Sequence, residues 1–235
     1  MRYDNRKNQA LRPIVIEKNF LASAFSSCLI KVGNTHVICS ATLDDFLPHF
    51  VRGTNSGWLS AEYSMLPASS AMQRVKREVN QGKISGRTQE VQRLIARSLR
   101  SCLDLKALGE RQILIDCDVI SADGGTRCAA ITGGYVAMKL AISKLLEQGT
   151  IKTNPIKYQV AAVSCGIYQE EIMIDLDYQE DSKAQVDGNF IIDSNMNIIE
   201  IQACAEGKSF SEQQLFLMLG AAKDAVSEIF KIQNA

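Results

Sequence analysis

The stretch that most constrains the fold is Ser121-Ala122-Asp123-Gly124-Gly125-Thr126-Arg127, which joins an expected strand to an expected helix. Before it, apolar residues alternate from Gln112 to Ile120, which is the period of a half-buried strand. After it, apolar residues recur at helical spacing until Gly149, where the helix is expected to end. The turn therefore presents free backbone N–H groups and the positive end of a helix dipole.

A turn of this kind can bind an anion such as phosphate. Its two glycines let a ligand approach the backbone closely, and Arg127 can add a forked pair of charged donors. Gly-Gly after a strand is also common in turns that bind nothing. On this stretch alone, both interpretations stay open.

Composition places the chain among single-domain proteins. Its 235 residues are 46% hydrophobic, enough for one good core, and 4 prolines with no low-complexity tract give no sign of a linker. We therefore expect one domain over residues 1–235. The N-terminal residues are polar, and no apolar run approaches the roughly 20 residues that span a bilayer. A cytoplasmic protein without a membrane partner is expected.

Cysteine and histidine usage argues against several chemistries. The 7 cysteines form no C-x-x-C pair and mostly lie in apolar runs, so buried reduced thiols are expected rather than disulfides or zinc ligands. Only 2 histidines are present, which gives little support for histidine–metal or Ser-His-Asp chemistry.

The order of the expected elements indicates an α+β fold. Strands are predicted at 13–20, 25–32, 36–43, 58–65, 112–120, 160–168, 172–177, 190–192 and 198–205, and helices from 86, 126 and 211. Each half runs from strands to a helix, which suggests a duplicated unit with helices laid on mixed sheets. The aromatic rings of Trp58 and Tyr63 are expected to pack rather than bind, and residues 67–85 are expected to form a long loop.

The helix from Gly86 carries two distinct sets of arginines. Ser85 is its expected N-cap, and Arg87 falls on the apolar side in the first turn, where a cation needs an anion, either a carboxylate or a phosphate. Arg93, Arg97 and Arg100 form a stripe on the opposite face. This stripe is interpreted as a solvated face, with RNA backbone or a partner subunit as alternatives.

Charge is balanced overall but unevenly placed. The net charge is zero, which by itself argues against a nucleic-acid binder. A basic group lies within one short span, however, and fits RNA phosphates. Its members are Arg74, Lys76, Arg77, Lys83, Arg87, Arg93, Arg97 and Arg100.

An acidic group lies near the other end of the chain. Its members are Asp175, Asp177, Glu180, Asp181 and Asp187. Like charges this close repel, so either a cation gathers them or they point into water. Oxygen ligands without histidine favour Mg²⁺ or Mn²⁺. The turn at residues 121–127, called the anion turn below, would hold an anion, and the basic residues between Arg74 and Arg100 would contact RNA. Together with these, such a metal would suit attack on a phosphodiester by inorganic phosphate, which is phosphorolysis.

At this point the chain resembles the ribonuclease PH family. The motifs that carry the resemblance cover nearly the whole chain in the right order. They are Arg2 to Arg6, Leu11-Arg12-Pro13, Arg52-Gly53 to Trp58, Ala61-Glu62-Tyr63, Met65-Leu66-Pro67, Gly82-Lys83, Ser85-Gly86-Arg87-Thr88-Gln89-Glu90, Asp123-Gly124-Gly125-Thr126-Arg127, Asp175-Leu176-Asp177-Tyr178, Glu180-Asp181-Ser182 and Ala205-Glu206-Gly207.

The resemblance implies a phosphorolytic 3′ to 5′ exoribonuclease, formally a tRNA nucleotidyltransferase. Such an enzyme trims the 3′ ends of tRNA precursors and other RNAs, ribosomal RNA among them, and releases nucleoside diphosphates in a reversible reaction. The resemblance also implies the ribosomal protein S5 domain 2-like fold and a homohexamer built as a trimer of dimers.

The resemblance also implies roles for individual residues. Arg87, Gly125, Thr126 and Arg127 would hold the attacking phosphate. Asp181 and Asp187 would be the catalytic and metal-binding pair, with Asp181 assisting proton transfer to the leaving 3′ oxygen. Arg74 and Arg77 match basic positions linked to tRNA contact and dimer packing. Apart from the resemblance, Arg93 and Arg97 of the helical arginine stripe complete the expected RNA-binding set.

The chain departs from the family pattern at two places. The segment from Pro67 to Arg77 is one residue longer, with Ala68 or Ser69 where an arginine is common. Beside Asp187, Gln185 replaces a common glutamate and Gly188 a common methionine. Two other functions therefore stay open: a non-catalytic RNA-binding ring subunit of an exosome-like assembly, and a phosphate-dependent enzyme of free nucleotides. Retention of both arginines and both aspartates opposes the first, and the basic span opposes the second.

Overall fold

The computed structural model describes residues 2–44, 46–71, 74–78 and 82–235. Its strands are β1 Ile14–Lys18, β2 Ser26–Val32, β3 Thr35–Asp44, β4 Trp58–Met65, β5 Gln112–Ser121, β6 Val160–Tyr168, β7 Glu171–Ile174, β8 Val186–Asp193 and β9 Ile198–Ala205. Its helices are α1 Gly86–Ser101, α2 Leu105–Leu108, α3 Thr126–Glu147, α4 Tyr178–Asp181 and α5 Glu212–Asn234.

The strands form two sheets. The first has the order β1-β2-β3-β5-β4, with β4 and β5 parallel and the other pairs antiparallel. The second has the order β7-β6-β8-β9 and is antiparallel throughout. The α+β class and the succession of strands and helix in each half are thus confirmed, and the mixed pairing lies in the first sheet.

Helix α3 packs against both sheets, which makes it the central element of the core. Gly133 allows the closest approach, because a Cβ there would lie 2.7 Å from Ile30 Cγ2 and 2.8 Å from Cys39 Sγ. Among the described residues, α3 is the one helix long and apolar enough to cross a membrane, against the expectation that no segment is. However, 72% of its apolar window is buried inside the fold, as in the core helix of a globular protein.

The capping residues predicted for α1 and α5 are confirmed. Ser85 caps α1 by accepting a hydrogen bond from the Thr88 N–H, and Ser211 with Gln214 forms a capping box at α5. The apolar face of α1 is buried as expected. Residues 190–192 prove to be the middle of a longer strand, β8, because Val186–Asn189 pair with both β6 and β9.

Two expectations about side chains need correction. Six of the seven cysteines are buried and free, as predicted, but Cys204 is exposed on β9. Arg100 does not belong to a solvated stripe. Its guanidinium lies 4.5 Å from the centre of the Trp58 ring and donates a hydrogen bond to Leu59 O at 2.9 Å. The packing of α1 on β4 turns this arginine toward the sheet, whereas Arg93 and Arg97 stay exposed.

Candidate active site

The turn between β5 and α3 has the geometry of an anion site. Gly124 and Gly125 both adopt positive φ angles, +73° and +67°. Gly125 is the N-cap of α3 and offers no side chain to the first-turn N–H groups. The hydroxyl of Thr35 fixes the turn, since it accepts from Asp123 N at 2.9 Å and donates to Gly124 O at 2.6 Å. Among the described residues, no side chain caps the first-turn N–H groups of α3, so these donors stand at the positive end of a buried helix.

The segment before α4 packs directly on this turn. A Cβ on Gly124 would lie 2.5 Å from Leu176 O, which leaves room only for glycine. The guanidinium of Arg12 joins the two segments, because it donates to the carbonyls of Asp123 and Gly124 and to the Asp175 carboxylate at 2.7 Å. The anion turn and the acidic segment are therefore held as one unit.

The sequence predicted that the five carboxylates of the acidic group either share a cation or point into water. That prediction was wrong for three of them, which have structural partners within the protein. Asp175 and Glu180 are buried at 4% and 0% exposure and are neutralised by arginines from the N-terminal segment. Asp177 caps α4, and Glu180 completes that capping box. These three residues are structural. Only Asp181 and Asp187 are left for chemistry.

Asp181 lies near enough to Asp187 and to the two expected phosphate arginines to feel their charges. Burial raises the pKa of Asp181 to about 6, assisted by the charge of Asp187 and a hydrogen bond to it, while the charges of Arg127 and Arg87 act in the opposite direction. Neither aspartate is in an ion pair within the described ranges. The fold thus brings together four of the expected site residues, which are spread over 100 positions of the chain. They are Arg87, Arg127, Asp181 and Asp187.

The two arginines differ in how firmly they are held. The guanidinium of Arg127 donates to Gln202 Oε1 at 3.3 Å and lies 3.7 Å from Glu90 Oε1. Arg87 lies on the same side of α1 as Val91 and Leu94, as its spacing predicted, but it is exposed whereas those two residues are buried. No carboxylate pairs with Arg87 in the described part of the chain, and its charge reaches Tyr63 and Asp181 instead.

Tyr63 is a neighbour of the site that the sequence interpretation treated only as packing. Its hydroxyl forms a hydrogen bond of 2.9 Å with Thr126 Oγ1, at the first residue of α3. The ring itself is buried, as expected. No sequence motif pointed to this contact, because it depends on how β4 and α3 lie together.

The basic residues lie around the site to different degrees. A cavity of about 690 Å³ is lined in part by Tyr63, Arg77, Lys83 and Arg87. Arg74 and Arg93 are exposed, and Arg97 is exposed while paired with Glu200 at 2.6 Å. Arg77 and Arg87 therefore share one cavity.

The site can be tested for a divalent metal by its donors. Within the described ranges, no group of three or more histidine, cysteine, aspartate or glutamate residues could hold an ion. The Asp181–Asp187 pair nevertheless fits Mg²⁺, which is commonly bound by one or two carboxylates together with phosphate oxygens. Burial and then the charge of Asp187 raise the pKa of Asp181, and a cation would relieve the repulsion between the two carboxylates.

Comparisons with known proteins identify the family of the chain. The 3′ exoribonuclease family matches over residues 10–143 with its domain 1 and over 158–225 with its domain 2. Ribonuclease PH of Cereibacter sphaeroides is 51% identical over 235 residues, covering 100% of this chain and 99% of the relative, and that of Roseobacter denitrificans is 50% identical with the same coverage.

Solved structures share the fold at low identity. Rice (Oryza sativa) Rrp46 superposes with a TM-score of 0.80 at 18% identity, over 100% of this chain and 99% of that one. The Archaeoglobus fulgidus exosome with RNA bound to the active site gives 0.80 at 18% identity, over 98% and 91% of the two chains. Full-length identity of about one half and both matching domains lead to one conclusion: the chain belongs to the ribonuclease PH family of 3′ exoribonucleases.

Proposed function

We propose that this protein is a phosphorolytic 3′ to 5′ exoribonuclease, a nucleotidyltransferase that removes 3′-terminal nucleotides of tRNA precursors as nucleoside diphosphates. The observation that carries the proposal is the meeting of the anion turn, Arg87, Arg127 and the Asp181–Asp187 pair in one place. Family membership gives the reaction class, and this geometry gives each residue a part in it.

The attacking phosphate is held by the turn at the start of α3. Backbone N–H groups after Gly125, the Thr126 hydroxyl and the guanidinium of Arg127 donate to its oxygens, and Arg87 approaches from α1. Charged and backbone donors fix the anion in line with the last phosphodiester bond, so catalysis consists mainly of positioning and charge neutralisation. No side-chain nucleophile is needed.

Asp181 and Asp187 complete the site on its acidic side and hold the divalent metal, Mg²⁺ or Mn²⁺. When bound, such an ion supplies neutralisation of the charge that develops on the phosphate and leaving oxygens. Asp181 assists proton transfer to the leaving 3′ oxygen, a role supported by burial, which raises its pKa to about 6 in the metal-free protein.

The RNA strand contacts the basic surface around the cavity. Arg74 and Arg77 lie in the segment after β4, and Arg93 and Arg97 lie about two and about three turns along α1 from Arg87. These arginines meet backbone phosphates, so RNA affinity falls with salt. A homohexamer built as a trimer of dimers, action on ribosomal RNA and a cytoplasmic location also belong to this proposal, on the strength of the family resemblance. Size exclusion at low and moderate salt tests the assembly.

The decisive experiment uses a tRNA with a short 3′ extension, Mg²⁺, and either inorganic phosphate or none, with released nucleotides resolved by chromatography. Nucleoside diphosphates that appear only with phosphate are the expected result. Bound RNA with no release under either condition would contradict the proposal and favour a non-catalytic ring subunit. Nucleoside monophosphates without phosphate would indicate hydrolysis instead.

A further inference from the structure

We propose that Tyr63 is a positioning residue for the attacking phosphate, because its hydroxyl donates to Thr126 and thereby directs the threonine hydroxyl proton toward the anion. The inference rests on the proposed function, since it concerns the same phosphate site. It adds a residue from β4 to a site otherwise built from the turn, α1 and the acidic segment.

The buried position of Tyr63 limits the hydrogen-bond partners of its hydroxyl. Tyr63 lies beside Cys117 in the parallel β4–β5 pair, and its side chain is only 5% exposed. The ring packs in the core with its hydroxyl at the carboxyl end of the strand, where α3 begins. Among the described residues, its one hydrogen-bond partner is Thr126 Oγ1, at 2.9 Å.

The direction of this bond follows from what each group can donate. Phosphate near neutral pH acts mainly as an acceptor, and a threonine hydroxyl has a single proton. If Thr126 gives that proton to the phosphate, its oxygen must accept from Tyr63. Donation then runs from Tyr63 through Thr126 to the anion, and each bond in such a chain polarises and strengthens the next.

The surroundings of Tyr63 keep it able to donate. Burial raises the pKa of the Tyr63 hydroxyl, although the hydrogen bond to Thr126 and the charges of Arg87 and Arg127 act in the opposite direction. The phenol therefore stays protonated at neutral pH. The same interactions show that both phosphate arginines lie close to this hydroxyl.

A purely structural role would give a different result. If Tyr63 served only to satisfy a buried hydroxyl, its loss would lower stability and affect all kinetic constants through the folded fraction. A positioning role instead predicts a selective change in the use of phosphate. It also requires that the effect disappear when Thr126 has no hydroxyl to direct.

The test is a double-mutant cycle with Tyr63→Phe, Thr126→Val and both together, assayed on tRNA with a 3′ extension. The phenylalanine ring keeps the packing and removes one hydroxyl. Tyr158→Phe is the matched control, because the Tyr158 hydroxyl also makes one hydrogen bond, to Ser101 O at 2.6 Å, outside the site. Michaelis constants for phosphate and for RNA are measured separately, with Tm for each variant.

Tyr63→Phe is expected to raise KM for phosphate about three- to tenfold, the effect of one lost hydrogen bond, with KM for RNA unchanged. Tyr158→Phe leaves both constants at wild-type values, and Tyr63→Phe has no further effect in the Thr126→Val background. An unchanged phosphate KM, or an equal loss in that background, overturns the inference.

Two further outcomes are informative. If Tyr63→Phe does not fold, an unchanged phosphate KM in Thr126→Val still overturns the inference, because the hydroxyl that Tyr63 directs would then not contact the phosphate. Failure of the proposed function is distinguishable, because wild-type protein would then release no nucleoside diphosphate with phosphate present. In that case, the inference falls with the proposed function.

Discussion

The guanidinium of Arg2 forms a two-pronged ion pair with the carboxylate of Glu180, 178 positions along the chain, with distances of 2.7 Å from Nε to Oε1 and 2.6 Å from Nη2 to Oε2. Both side chains are fully buried. Arg2 also donates to Ile174 O at 2.8 Å and Asp175 O at 3.0 Å. Because Glu180 directly precedes Asp181, the N-terminal arginine fixes the backbone that carries a candidate catalytic group.

Loss of Arg2 should therefore be strongly destabilising. Arg2→Met leaves the Glu180 carboxylate buried without its main partner, and we expect a loss of about 3–5 kcal/mol in the free energy of unfolding. Urea unfolding followed by circular dichroism measures it.

Glu17→Gln is the control for this prediction, since it breaks the exposed Lys31–Glu17 pair of 2.6 Å. That change should cost less than about 1 kcal/mol. Equal effects of the two substitutions would show that the Arg2–Glu180 pair adds nothing beyond a surface contact.

Gly124 and Gly149 provide a matched comparison of backbone strain. Both have positive φ, +73° and +68°, but a Cβ meets Leu176 O at 2.5 Å in the first and nothing within 4 Å in the second. Gly149→Ala should cost about 1–2 kcal/mol and leave phosphate KM unchanged. Gly124→Ala should cost more and raise phosphate KM, because the turn must move away from the acidic segment. Identical kinetics for the two variants would contradict the described packing.

Phosphate recognition should depend on Arg127 and Arg87. Each charged hydrogen bond contributes about 1.5–3 kcal/mol, so either change to alanine should raise phosphate KM by about tenfold to about a hundredfold. Arg93→Ala is the control, because its exposed side chain on α1 is proposed to contact RNA only. That variant should raise KM for RNA alone. An Arg127→Ala enzyme with wild-type phosphate KM would remove Arg127 from the site.

The Asp181–Asp187 pair predicts a pH dependence of stability in metal-free protein. The pKa of Asp181 rises from 3.8 to about 6 on folding. Its contribution to stability is therefore fully present below pH 3.8 and is lost as pH rises through about 6. In EDTA, the Tm of the wild-type protein should fall relative to the Tm of the Asp181→Asn variant as pH rises from about 4 to about 7. Parallel curves for the two proteins would refute the raised pKa, and added Mg²⁺ should reduce the difference.

Much of the secondary structure was predictable because its signals are local. The alternation in β5, the Gly-Gly turn and the helical period after Thr126 lie within one short span. Ser85 and Ser211 could be assigned as caps for the same reason, since each bonds to a residue three positions away. The limits of β8 were less accurate, because Val186–Asn189 become a strand by pairing with β6 and β9.

Partner choice among charged residues was not predictable from spacing. In the sequence, nothing distinguishes the five carboxylates of the acidic group from one another. In the fold, Asp175 and Glu180 are neutralised by Arg12 and Arg2, more than 160 positions away. Arg100 was wrongly expected to be solvated, and Tyr63 was expected only to pack. Their partners, Trp58 and Thr126, lie on other elements and could not be predicted from spacing.

The sequence by itself determined the α+β class, the glycine turn between β5 and α3 and the family, because periodicity, glycine placement and motif order are properties of the chain alone. Only the tertiary structure decided which side chains are left for chemistry. A carboxylate is structural when a buried arginine neutralises it and reactive when burial and a second carboxylate leave it short of counter-charge. That distinction separates Glu180 from its sequence neighbour Asp181, for which we propose a catalytic role.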